Sequence, residues 1–106
     1  MNDKILSFVG LAAKAGKLIY GSEAGSKAVR QGKVYLVLLA SDASETTKKL
    51  MKNKCLSNNV DLYEYCDTAD LSKAVGKGTV SVVSFNDKNF ASAIIKKMGV
   101  SHKSES

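Results

Sequence analysis

An unbroken apolar segment, VYLVLLA at residues 34–40, constrains the fold more than any other feature of the chain. A strand with one face in solvent alternates between apolar and polar residues, whereas a continuous apolar run is typical of a strand that is covered on both faces. Covering both faces requires helices on either side of the sheet. The segment therefore predicts a layered α/β architecture.

The remaining sequence supplies the helices and strands that such layers need. Apolar residues recur at helical spacing in five segments, at 5–13, 21–31, 41–59, 70–76 and 86–98. Short β patterns lie between them at 18–20, 60–65 and 80–85. We expect Asp42 and Asn86 to cap the third and fifth helices, and Gly32 and Gly76 to end the second and fourth. This order predicts a three-layer α-β-α sandwich around a small four-stranded mixed, mostly parallel sheet.

Composition indicates the domain organisation and the kind of partner. The chain has 106 residues, of which 44% are hydrophobic, enough for one compact domain over residues 1–100. The polar end SHKSES, at 101–106, predicts a disordered tail. Sixteen Lys and Arg residues against ten Asp and Glu residues give a net charge of +6, which favours an anionic partner such as nucleic acid. With no signal-peptide pattern and no long apolar run, we expect a cytoplasmic protein without membrane contact.

The residue patterns for catalysis and ion binding are weak. Cys55 and Cys66 lack CxxC spacing, and the single histidine, His102, lies in the predicted tail, so we expect neither a metal nor a cofactor. The segment GSEAGSK at 21–27 differs from the phosphate-binding loop G-x-x-x-x-G-K-[ST], because only three residues separate its glycines. We therefore expect no enzyme and no small-molecule substrate.

The start of the second helix is built from small residues. Gly21, Ser22 and Gly25 would allow a partner to approach the exposed N–H groups of the first turn closely. Further along, Glu23 and the two basic residues Lys27 and Arg30 share one face of the helix, since they are spaced four and three residues apart. That face of the helix either binds a partner or is a solvent-exposed charged surface with a Glu23–Lys27 ion pair.

The motifs, in their order along the chain, resemble those of one known family. They are FVGLAAKAGKLIYG at 8–21, G-x-x-x-x-x-K-A-[apolar]-x-x-G-K at 21–33, ASDAS at 40–44, and DLSKAVGKG at 70–78 before VSVVSF. The set is similar to the kink-turn-binding ribosomal-protein superfamily of archaeal and eukaryotic large subunits, and especially to its bacterial branch, the YlxQ-type proteins. The resemblance covers nearly the whole chain. It implies a monomeric, non-enzymatic, RNA-binding protein that recognises a sharply bent RNA with tandem sheared G·A pairs.

The resemblance also implies which residues contact RNA. Gly21 matches the glycine before the second helix, and Lys27 matches the lysine that reaches guanine edges and phosphates. Two loops, at 40–43 and 75–79, would flank this helix, and the apolar part of the second would cover an extruded base. The implied RNA-binding residues are Gly21, Ser22, Glu23, Lys27, Arg30, Lys33, Ser41, Asp42, Lys77 and Gly78.

Three positions depart from the family pattern. Glu23 stands where the family has Asn or Lys, and Ala24 where it has Glu or Gln, so the residues that read the bases are displaced. Ser72 stands where the short fourth helix usually has Gly. An alternative function is a protein–protein interaction or stress-adaptor module of the same fold.

Overall fold

The computed structural model describes residues 4–102. Helices and strands alternate along these residues, as the periodicity predicts. The elements are α1 (Lys4–Lys14), β1 (Leu18–Tyr20), α2 (Ser22–Arg30), β2 (Leu36–Leu39), α3 (Glu45–Ser57), β3 (Asp61–Glu64), α4 (Thr68–Val75), β4 (Val82–Phe85) and α5 (Lys88–His102).

The four strands form one sheet in the order β1-β4-β2-β3. The predicted α/β fold with a mixed four-stranded sheet is confirmed, but the sheet is not mostly parallel. Only β2 and β3 are parallel, whereas β4 runs antiparallel to both β1 and β2. β4 is antiparallel because it begins at the end of the sheet at which β2 and β3 finish. The hydroxyl of Thr68, at the start of α4, lies there 3.0 Å from that of Ser81, just before β4.

The apolar segment at 34–40 forms the centre of the core. Leu36 and Leu38 pack on one face of the sheet with residues of α1, α4 and α5. Val37 and Leu39 pack on the other face with residues of α2 and α3. All four side chains are fully buried. Their alternation between two hydrophobic clusters explains why β2 has no polar position, and it produces the three-layer arrangement.

The ends of the helices agree only partly with the predicted caps. Gly32 and Gly76 follow α2 and α4 with φ angles of +75° and +71°, as expected of glycines that end helices. The cap of α3 is Ser44, whose hydroxyl accepts a hydrogen bond from the Thr47 amide, and not Asp42.

The start of α5 differs in the same way. Asp87, and not Asn86, accepts a hydrogen bond from the backbone N–H of Phe90 in the first turn. In both helices the true cap is a Ser or Asp one or two residues further along, which the local pattern does not distinguish from its neighbours.

The last helix extends beyond the expected domain boundary. Because α5 ends at His102, the first two residues of the predicted tail are helical. Residues 103–106 lie outside the described part of the chain, so their disorder stays a prediction. Within residues 4–102, none of the helices has the length and apolar character needed to cross a membrane.

Candidate nucleic-acid interface

Four chain connections meet at one edge of the sheet. The strand register aligns the last residues of β1, β2 and β3 with the first residues of β4. We call this the loop edge, and define it as Gly21 together with segments 40–44, 65–67 and 76–81. Half of the ten predicted site residues lie on it, although their positions span more than half of the sequence.

Gly21 places the start of α2 at the loop edge. Its N–H donates to the carbonyl of Val82, the first residue of β4, at 3.0 Å. Its φ angle of +89° is one that residues with a side chain rarely adopt, and this conformation explains the glycine. Ser22 and Glu23 follow in the first turn of α2, whose N–H groups have no carbonyl partners within the helix.

The basic residues of α2 extend away from this edge. Lys27, Arg30 and Lys33 are all exposed. Lys27 lies in the middle of the helix, Arg30 is its last residue, and Lys33 lies in the turn beyond. Since nine helical residues span about 13 Å, Arg30 and Lys33 lie at the opposite end of α2 from Gly21. The structure therefore brings Gly21, Ser22 and Glu23 together with the loops, and arranges the basic residues along the helix.

Carboxylates in the described part of the chain do not form ion pairs with these basic side chains. Within residues 4–102, the ion pairs are Lys17–Asp87, Lys48–Glu64 and Lys52–Glu64. The Glu23–Lys27 pair that a solvent-exposed charged surface would have is not among them. Among residues 4–102, Lys27, Arg30 and Lys33 therefore have no carboxylate partner, and all three present positive charge to solvent.

Ser41 and Asp42, both predicted to contact RNA, hold other parts of the loop edge. The amide and hydroxyl of Ser41 donate to the carbonyl of Cys66, at 2.8 and 3.0 Å. Oδ1 of Asp42 accepts hydrogen bonds from the hydroxyl and the amide of Thr68, at 2.6 and 2.8 Å. The hydroxyl, followed by the amide, lowers the pKa of the Asp42 carboxyl below its ordinary value. Sequence patterns missed Cys66 and Thr68, because they lie 25 and 26 residues from their partners.

Lys77 lies next to the start of α2. Its ammonium is 4.8 Å from the centre of the Tyr20 ring, and Tyr20 directly precedes Gly21. Burial raises the pKa of the half-buried Tyr20 hydroxyl. Gly78 is exposed beside Lys77. Tyr20 is thus a residue of the candidate site that motif comparison missed, since as part of an apolar triplet it indicates only a strand.

The chain is similar to known proteins over most of its length. The family model described as ribosomal protein L7Ae/L30e/S12e/Gadd45 matches residues 3–96. The chain belongs to this family. The RNA-binding protein YlxQ of Enterococcus faecium is 39% identical over 74 residues, which cover 70% of this chain and 72% of that protein. The YlxQ protein of Bacillus subtilis (strain 168) is 34% identical over 87 residues, covering 82% and 87%.

A solved structure from Bacillus halodurans C, of a protein with unknown function, is also similar. Its TM-score is 0.87 with 37% sequence identity, and the match covers 90% of this chain and 96% of that one. The family model and the matches to YlxQ proteins confirm the resemblance that the motifs indicated. The prediction of a non-enzymatic protein is confirmed as well, since the family and the YlxQ relatives are named as ribosomal and RNA-binding proteins.

In this L7Ae/L30e/S12e/Gadd45 family member, Gly25 does not serve close approach by a partner, so that expectation is wrong. Gly25 is buried and faces the sheet. A Cβ atom at this position would lie 2.9 Å from the hydroxyl oxygen of Ser84 in β4. Its lack of a side chain therefore allows α2 to pack closely on the sheet.

The loop after α4 also differs from the family-based expectation. Val75, the apolar residue expected in the 75–79 loop, is instead the last residue of α4; it packs in the core and is only 9% exposed, which leaves little of it to cover an extruded base. Ser72, which stands where the family usually has Gly, accepts from the amide of Val80 at 2.7 Å and donates to its carbonyl at 3.2 Å. The departure thus ties α4 to the segment that leads into β4.

The two cysteines have different surroundings. Cys55 is a buried residue of α3, and burial, helped by the charge of Asp61, raises the pKa of its thiol to about 11. Cys66 is half-buried at the loop edge. In the described residues, no group of three His, Cys, Asp or Glu side chains is arranged to hold a metal ion.

We expect the two thiols to react with a disulfide reagent at pH 8 in separate phases. Cys66 reacts in the fast phase, whereas Cys55 reacts slowly because it is buried and almost entirely protonated at that pH. Absorbance after mixing with Ellman's reagent measures both phases. Cys66→Ser should abolish the fast phase and Cys55→Ser should retain it; a fast phase that survives Cys66→Ser would show that Cys55 is accessible.

Proposed function

We propose that this protein binds structured RNA through the loop edge and the outer face of α2, without catalysing a reaction. Membership of a ribosomal-protein family and similarity to proteins named as RNA-binding support the proposal. The net charge of +6 has the sign that an RNA partner requires.

The observation that carries the proposal is the unpaired positive charge of Lys27, Arg30 and Lys33 on and just after a helix that begins at the loop edge. Carboxylates do not neutralise these side chains in the described part of the chain. Phosphates contacted by basic side chains orient a nucleic acid on a protein. RNA whose backbone follows α2 from Lys33 towards Lys27 would meet the loop edge at Gly21.

The more specific proposal is recognition of a kink turn. The exposed carboxylate of Glu23 can accept hydrogen bonds from guanine amino groups, and Lys27, one turn further, can donate to guanine edges or phosphates. Lys77 and Gly78 would flank the bent backbone from the other side of Gly21. Recognition of a bend and its exposed base edges suits RNA, because the major groove of an A-form helix is too deep and narrow for side chains.

The deciding experiment compares two RNAs at several salt concentrations. One contains a kink turn, and in the other the tandem G·A pairs are replaced by Watson–Crick pairs. We expect the kink turn to bind at least about tenfold more tightly, a difference of about 1.4 kcal/mol. We also expect affinity for both RNAs to fall as salt rises, because phosphate contacts release counterions.

Two other results are possible, and each would contradict a stated part of the proposal. Equal, salt-dependent binding of both RNAs would contradict kink-turn recognition and leave general RNA binding. Failure to bind either RNA would contradict both and favour a protein–protein interaction module. We further propose a cytoplasmic complex with one monomer per RNA, and the stoichiometry of the same titrations measures this ratio.

A further inference from the structure

A chain of hydrogen bonds connects three segments of the loop edge. Oδ1 of Asp42, between β2 and α3, accepts from both the amide and the hydroxyl of Thr68, the first residue of α4. The Thr68 hydroxyl oxygen lies 3.0 Å from that of Ser81, the last residue before β4. One carboxylate and two hydroxyls therefore hold three segments together. Asp42 and Thr68 are 26 residues apart in the sequence, and Thr68 and Ser81 are 13 residues apart.

The directions of these bonds follow from the number of hydrogens available. A hydroxyl carries one hydrogen, and that of Thr68 is donated to the Asp42 carboxylate, which can only accept. The bond between Thr68 and Ser81 must therefore be donated by Ser81. The chain runs from Ser81 through Thr68 to Asp42, and the negative charge at its end strengthens it. The lowered pKa of Asp42 agrees with this direction.

The position of Asp42 is otherwise unexpected. It is an exposed carboxylate on the edge of the molecule where an RNA is proposed to bind, and a negative charge close to phosphates is unfavourable. Within the protein, the Asp42 carboxylate stabilises the N-terminus of α4 through its hydrogen bonds to Thr68. Through the same bonds it joins that helix to two other segments.

We propose that Asp42 is a positioning residue for RNA binding, which holds the 40–44 and 76–81 segments in register through Thr68 and Ser81 and does not itself contact the RNA. The inference rests on the proposed function. It assigns to Asp42 a different role from the direct contact that the family resemblance implies.

The first test uses two variants that each remove one exposed carboxylate. Asp70 is the control, because it is exposed in the first turn of α4, lies outside the loop edge and takes no part in the cross-loop chain. We expect Asp42→Ala to weaken binding of a kink-turn RNA by about tenfold, a typical size for loss of positioning by a residue without ligand contact. Asp70→Ala should leave the affinity unchanged or raise it. Asp42→Asn should bind within about threefold of the wild type, since its amide oxygen still accepts from Thr68.

The second test separates positioning from direct contact. Thr68→Val removes the bridging hydroxyl without changing charge or size. If Asp42 positions the loops, Thr68→Val weakens binding by a similar factor, and the double variant with Asp42→Ala binds no more weakly than either single variant. The slope of log affinity against log salt should stay that of the wild type, because no phosphate contact is lost. Amide hydrogen exchange in segment 76–81 should accelerate in both single variants.

The outcomes distinguish failure of this inference from failure of the proposed function. Affinities are compared at a temperature at which circular dichroism shows every variant to be folded. If the wild type does not bind RNA, the proposed function fails. If the wild type binds but Asp42→Ala binds as well as Asp70→Ala, or if the effects of Asp42→Ala and Thr68→Val add, the positioning role is overturned.

Discussion

Simultaneous replacement of Lys27, Arg30 and Lys33 by alanine is expected to lower the affinity for RNA by about a hundredfold or more. Hydrogen bonds to charged groups contribute about 1.5–3 kcal/mol each, and these three side chains have no carboxylate partner in the described residues to offset their loss. The slope of log affinity against log salt should fall by roughly two to three, one for each phosphate contact removed. Titrations of labelled RNA at several salt concentrations measure both quantities.

A matched triple variant distinguishes the loss of contacts at the α2 face from the loss of overall positive charge. Lys14, Lys88 and Lys96 are exposed residues of α1 and α5, on the opposite face of the sheet from α2. Their replacement by alanine changes the net charge by the same amount, and we expect it to change RNA affinity only a few-fold, since distant charges are screened at physiological salt. Equal losses of affinity in the two triple variants would show that RNA binds by overall charge and that the α2 face is not the site.

Gly25→Leu is expected to lower the free energy of unfolding by about 3 kcal/mol or more, because overpacking of a closed interface forces backbone movement. Even the first carbon of the new side chain would lie 2.9 Å from the Ser84 hydroxyl and 3.5 Å from the Met51 methyl group. The leucine cannot point into solvent without rotating α2. Urea unfolding followed by circular dichroism measures the loss, and a variant as stable as the wild type would contradict the burial of Gly25.

A double-mutant cycle with Ser84 tests the same contact more finely. The Ser84 hydroxyl is fully buried and has no hydrogen-bond partner among the described residues, so Ser84→Ala should leave stability unchanged or raise it by about 1 kcal/mol. Without that oxygen, the nearest atoms to a Cβ at residue 25 are at 3.5 and 4.0 Å, which is ordinary contact. Gly25→Ala should then stabilise the Ser84→Ala protein by about 1 kcal/mol, the difference in helix propensity. In the wild-type background the clash should cancel or reverse this gain, whereas equal effects in both backgrounds would contradict the contact.

Two of the predictions that failed share a cause. Asp42 satisfies a local capping pattern before Glu45, yet its carboxylate bonds to Thr68, which is close only after α4 has packed beside the β2–α3 connection. Gly25 lies among small residues at a helix start, which is typical of a ligand-binding turn, but the orientation of α2 directs it towards Ser84. In both cases a short-range pattern allowed two interpretations, and a residue far away in the sequence decided between them.

Hydrophobic periodicity alone was sufficient to specify the order of helices and strands, the burial of β2 on both faces and the α/β layers, because each depends on neighbouring residues along the chain. The motifs were sufficient to indicate the family, and they identified most of the loop edge. The direction of β4, the closeness of α2 to the sheet and the chain of hydrogen bonds from Ser81 to Asp42 follow from the three-dimensional packing. They join segments that are distant in sequence, and their energies depend on distances that exist only once the layers have assembled.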